Sequence, residues 1–257
     1  MKFVRLFILL FLMLSAGAAQ ATTLVYKAYG RGFHLLDVHV QYHLTPKTYE
    51  ALTTTQTRGL LSLFLNSRDF FDSVGNIKNG TFVVDRSTFK NVQKKKERFF
   101  HIDFTGKKDM LDYTAAYFSS ISQPQPRNQT YRVKDPAREM VVSLTYQGSV
   151  PPQRKVKVQA EDWELYTLSA TVTSGKKVGW FFKRMEKTKK PIRAYFAKIQ
   201  DVPERVLMLA EIDAGFFGTV ALRLVGVYPD GMEAEEEIIL IEEEDVEPSR
   251  DVVFKRF

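Results

Sequence analysis

The chain has 257 residues, 44% of them hydrophobic, with 37 Lys and Arg, 30 Asp and Glu, and no cysteine. That length supports one large core or two small ones, one domain being favoured, and without cysteine there are no disulfides, no thiol chemistry and no lipid attached at a cysteine. The net charge of +7 hides an asymmetry, because residues 22–229 carry 32 bases against 19 acids while residues 230–247 carry ten acids and no base.

Met1 to Ala21 contains Lys2 and Arg5, an apolar run from Leu6 to Leu14, and then Ala19-Gln20-Ala21. This is the order of a cleavable secretory signal, and the run is shorter than the ~20 apolar residues that span a bilayer. The expected product is exported and periplasmic, with a single β-rich domain over 22–228, an acidic tail over 229–257 and no remaining membrane span. In that compartment a basic body meets anionic lipid headgroups, acidic polysaccharide or an envelope protein, and nucleic acid is set aside.

From Gly32 onward Leu36, Val38, Val40, Tyr42 and Leu44 alternate with Asp37, His39, Gln41 and His43, the period of a half-buried strand. Thr45-Pro46-Lys47 supplies a turn, and Tyr49 to Thr57 is rich in the β-branched residues of a partner strand. Leu60, Leu61, Leu63, Phe64 and Leu65 then crowd together in neither period; plain core is the simpler reading, the lip of an apolar cavity the functional one. Asn79-Gly80 predicts a type I′ hairpin between Ser73 to Lys78 and Thr81 to Asp85. Strands Thr88 to Val92 and Arg98 to Phe104 flank Lys94-Lys95-Lys96, which reads as a solvated turn.

Asp109 to Ser122 is weakly helical in spacing, and SQPQPRNQ after it is a loop. Asp135-Pro136-Ala137-Arg138-Glu139 reads as a helix start, with an Asp cap, a Pro in the first turn and a buried stripe of Met140, Val141 and Leu144. Strands are expected again over Lys155 to Gln159, Trp163 to Thr173, Val178 to Glu186, Ile192 to Gln200, Arg205 to Asp213 and Thr219 to Val227. The sum is a mainly β (α+β) fold of about eleven largely antiparallel strands, with one or two helices packed on one face.

Taken in order, YKAYGRGFHLLDVHVQYHL, TTTQTRGLL, DFFDSVGNI, the Asp-Pro segment, KKPIRAYFAKI and GFFGTVALRLVG resemble the bacterial family called domain of unknown function 3108, over roughly residues 24–226. The resemblance implies an exported protein of Gram-negative bacteria. It also implies an open half-barrel similar to that of the lipoprotein carriers, a curved antiparallel sheet over helices on its concave face. The family places Leu-Ser after the Asp-Pro pair, where this chain has Ala137-Arg138. It brings no catalytic residues with it.

Enzyme signatures are missing: there is no G-x-S-x-G elbow, no HExxH and no glycine-rich phosphate loop, so no cofactor is expected and a metal-dependent enzyme is the least favoured of the three functional readings. Asp37 with His39 and His101 with Asp103 are weak metal candidates, since a spacing of two puts both side chains on one face of a strand. The aromatic signal is stronger. Leu60, Leu63, Phe64, Phe70, Phe71, Trp163, Tyr166, Trp180 and Phe182 are candidates for an apolar ligand pocket, with Lys94, Lys95, Lys96 and Arg98 as a rim for anionic headgroups. The plainer alternative is sheet core. The functional expectation is a periplasmic protein holding an amphipathic or lipid-like ligand; the alternative is an envelope interaction module using sheet edges and the acidic tail, with contact to a membrane surface open to either.

Overall fold

In the computed structural model the founding hairpin forms as the alternation predicts: β2 (Phe33–Leu44) pairs with β3 (Thr48–Thr57) from Leu36 opposite Thr57 to Leu44 opposite Tyr49. The Thr45 hydroxyl closes the turn by accepting from the Lys47 and Thr48 amides at 3.1 and 2.8 Å. The structure describes residues 21–93, 96–104, 107, 109–123, 127–175, 191–200, 202–213 and 218–229, apart from the side chain of Leu60. The leader, residues 176–190 with the expected strand Val178 to Glu186, and the acidic tail lie outside these.

β1 (Ala21–Gly30) precedes the hairpin and pairs on one side with β2. After it come α1 (Gly59–Phe64), β4 (Ser67–Lys78), β5 (Thr81–Gln93), β6 (Lys96–His101), β7 (Met110–Leu111) and α2 (Tyr113–Ile121). The remainder is β8 (Gln129–Lys134), β9 (Arg138–Ser149), β10 (Glu161–Gly175), β11 (Ile192–Lys198), β12 (Arg205–Asp213) and β13 (Thr219–Pro229). One sheet contains all thirteen described strands, in the order β6-β5-β4-β3-β2-β1-β13-β12-β11-β10-β9-β8-β7. Its described pairings are antiparallel except that of β7 with β8. β1 is the seam, pairing also with β13 and so joining the two halves of the chain.

Asn79 and Gly80 both take positive φ, 52° and 74°, which is what a two-residue turn matched to strand twist requires. The Asp-Pro segment does not start a helix. Asp135 instead accepts from the Ala137 and Arg138 amides at 2.8 Å each, making a tight turn from β8 into β9. An Asp side chain satisfies the amides of a turn as readily as those of a helix. The residues after the turn decide between the two: Met140, Val142 and Leu144 face the core at a spacing of two, and flanking strands pair on both sides. Lys155 to Gln159 is likewise no strand; Lys155 reaches across to Glu211 at 2.8 Å.

α2 lies inside the curve of the sheet. Its Asp112 cap accepts from the Ala115 amide at 2.7 Å. Phe118, fully buried, meets the rings of Tyr42, Tyr49 and Phe82 at 5.1 to 6.1 Å. Tyr117 accepts from the Leu207 amide at 3.3 Å, so the helix is tied to β12 as well. β5, next to one end of the sheet, and β7, at the other, come together beside it. The result is an open, barrel-like wall filled by one helix. α1 is not inside; it stands at the rim where β2 begins.

Candidate functional site

The register defines two rims. The first carries the β1–β2 turn, α1, the end of β5 and the β8–β9 turn. The second carries the β2–β3 turn, Asn79-Gly80, the end of β9 and the starts of β10 and β12.

At the second rim the start of β10 is irregular. Glu161 pairs with Lys198 but Glu164 pairs with Phe196, so the two residues between are displaced from the ladder, and Asp162 takes a positive φ of 49°. A bulge re-aims side chains; here Trp163 and Glu164, consecutive residues, are both buried. The Trp163 indole N–H donates to the Ala160 carbonyl at 3.0 Å. Glu164 Oε2 accepts from Arg205 Nη1 at 2.5 Å and from the Tyr166 hydroxyl at 3.1 Å. Burial, reinforced by the Glu164 charge, pushes the Tyr166 phenol up to about 12, so it remains a donor at neutral pH. Arg205 also donates to the Gln123 carbonyl just past α2.

Above this buried pair opens a cleft of about 540 Å³, whose wall includes Val150, Pro152, Ala160 and Trp163 on the apolar side and Glu161, Asp162, Lys198 and Arg205 on the charged side. Lys198 and Asp162 pair across its mouth at 2.7 Å. Beneath the pair, toward α2, is a void of only about 10 Å³, room for one water.

The expected pocket residues are not assembled in one place. Leu63 and Phe64 stand in solvent on α1, so these two line neither the core nor the cleft. Phe70 and Phe71 are half-buried on opposite faces of β4, and Phe71 meets the edge of Tyr113 at 6.3 Å. Trp163 and Tyr166 are buried near the second rim. Trp180, Phe182, Lys94 and Lys95 lie outside the described residues, as does the side chain of Leu60. Lys96 and Arg98 are exposed on β6.

The metal candidates are separated as well, since β3, β4 and β5 lie between β2, with Asp37 and His39, and β6, with His101. Asp103 follows His101 by two residues, beyond the end of β6. Asp37 is engaged by Arg58 at 2.6 Å and His34 at 2.7 Å, and burial lowers the His39 imidazole pKa. Among the described residues no three His, Asp or Glu side chains cluster closely enough to hold a metal. Glu164 and Arg205 escaped the sequence reading. The one signal for Glu164 was an acid inside the apolar run WELYTL; Arg205 offered none, because its partner is 41 residues away.

The fold is therefore a barrel-like, mainly β protein with a cleft at one mouth. No family model matches the chain, and no curated protein does. Among solved structures it is similar to a beta-barrel-like protein of domain of unknown function DUF1849 from Brucella abortus, at 10% identity and a TM-score of 0.40, covering 82% of this chain and 97% of that one.

Proposed function

We propose that this is an exported, non-enzymatic binding protein of the bacterial envelope that holds an amphipathic, lipid-like ligand in the cleft at the second rim. The supporting observation is the cleft itself: about 540 Å³ falls within the roughly 300–1,000 Å³ of small-molecule sites, which favour the mouths of barrels. Trp163 and its apolar neighbours suit an acyl segment, and Lys198, exposed at the mouth, suits a polar head. The ligand thus sits at the mouth, because α2 fills the space under the sheet. Extraction and mass spectrometry of protein purified from an envelope fraction test this. Wild type should yield an amphiphile that Ala160→Arg, which fills the cleft, loses. No amphiphile above a blank, or equal amounts from both proteins, refutes the reading.

β6 favours a second reading, a protein-interaction module. It is the last strand at one end of the sheet and all six of its residues are exposed, which suits strand addition by a partner. Pull-down from envelope extracts with and without residues 230–257 separates the readings, since only an interaction module uses the tail.

A further inference from the structure

We infer that the first rim, opposite the cleft and independent of it, is a docking edge for an anionic lipid surface, with the apolar side chains of α1 entering the interface. Phe33, Leu63, Phe64 and Leu65 are 53%, 73%, 78% and 41% exposed, and α1 packs against the start of β2, which brings Phe33 to the same place. Scattered apolar residues on a surface are ordinary; three consecutive ones at a tip, joined by a fourth from another strand, form a patch that water disfavours.

The tip is built, not loose. Arg58 donates its amide to the Leu35 carbonyl at 2.7 Å and its Nε to Asp37 at 2.6 Å. The Thr57 hydroxyl donates to the Leu65 carbonyl at 2.6 Å, closing the other end. Gly59, with φ of 52°, abuts β2 so tightly that a Cβ there would lie 2.5 Å from the His34 carbonyl oxygen. These bonds hold the backbone while the side chains of Leu63 and Phe64 point away from the wall.

Charge selects the occupant. Thr57, Ser67, Gln93 and Lys96 follow one another across β3, β4, β5 and β6, so Lys96 sits three inter-strand spacings, about 15 Å, from the base of α1. Arg68 and Arg98 lie near the same rim. Several acids at this rim are paired with bases: Asp37 with Arg58 and His34, Asp135 with Arg138 at 2.6 Å and Glu97 with Lys90 at 3.0 Å, while Asp69 accepts from the neutral Asn91 amide at 2.6 Å. A second copy meeting this edge symmetrically would set bases against bases. A bilayer takes an apolar tip about 5–10 Å deep and meets the surrounding cations with its headgroups.

The absence of cysteine allows a single reporter. Full chain carrying Phe64→Cys, labelled with an environment-sensitive thiol dye, is mixed with vesicles of phosphatidylcholine alone or with phosphatidylglycerol added; Asn79→Cys reports from the opposite rim. The Phe64 site should shift to the blue only on the anionic vesicles and lose the shift in high salt, while the Asn79 site stays silent. Leu63→Asp with Phe64→Asp should weaken partition at least tenfold with an unchanged melting temperature. A silent Phe64 site, equal response at Asn79 or on neutral vesicles, unchanged partition of the double variant, or a blue shift without vesicles as the chain self-associates overturns the inference.

Discussion

Replacing Asp112 with alanine removes the cap of α2 and the acceptor on which two elements converge. Asp112 is fully buried; its carboxylate accepts from the Ala115 amide at 2.7 Å and from the Ser73 hydroxyl, on β4, at 2.6 Å. Loss of a cap costs about 1 kcal/mol, and stranding buried donors costs about 1–3 kcal/mol more, so Asp112→Ala should destabilise by about 2–4 kcal/mol. For a domain of this size that is on the order of 10 °C in melting temperature. Asp112→Asn retains an acceptor for the helix and should stay within about 1 kcal/mol of wild type at neutral pH. The two also differ in pH dependence. Burial raises the Asp112 pKa, so the folded state binds this proton more tightly than the unfolded state does. The resulting stability is fully present below the unfolded value of about 3.9 and is lost as pH rises through the higher folded value. Wild type should therefore lose stability relative to Asp112→Asn across that window. Urea unfolding followed by circular dichroism at a series of pH values measures both. An alanine variant within about 0.5 kcal/mol of wild type, or an asparagine variant with the wild-type pH slope, would refute the reasoning.

Phe118→Ala, which empties the ring contacts at the centre of the core, should cost about 3–5 kcal/mol in chemical denaturation; a cost near 1 kcal/mol would mean that α2 does not fill the barrel. Glu164→Met leaves Arg205 buried without its counter-charge and should cost about 3–5 kcal/mol, whereas exchanging both residues for Met should cost less; additive losses across Glu164→Met, Arg205→Met and the double variant would show the two side chains to be uncoupled. Gly75→Ala should destabilise by about 3 kcal/mol, the upper end for over-packing, because its Cβ would lie 2.1 Å from the Val83 carbonyl oxygen and 2.6 Å from the Tyr49 ring. Gly80→Ala, at positive φ but in open space, should cost about 1–2 kcal/mol, and thermal melts giving the reverse order would contradict the β4–β5 register.

Local signals carried the strands whose two faces differ. β2 was legible from Val38 to Leu44, where Val38, Val40, Tyr42 and Leu44 pack on the core, though a register shift at its start buries Leu35 and Asp37 instead, and the β4–β5 turn was legible because Asn-Gly tolerates the positive φ it needs. β9 was misread because an Asp-Pro pair caps turns and helices alike, and Met140 and Leu144, four apart, satisfy both periods. Val142 between them belongs to the buried face, and only pairing with β8 and β10 makes that face a strand.

By itself the chain's alternation determined a mainly β, largely antiparallel architecture, since a period of two is written into neighbouring residues and survives without knowledge of their partners. Where the greasy run of α1 points, which acid meets Arg205, and whether the space under the sheet is a pocket or a core were decided only by the tertiary structure. Those outcomes depend on residues tens of positions apart being brought within a few ångströms, and above all on α2 occupying the interior under the sheet.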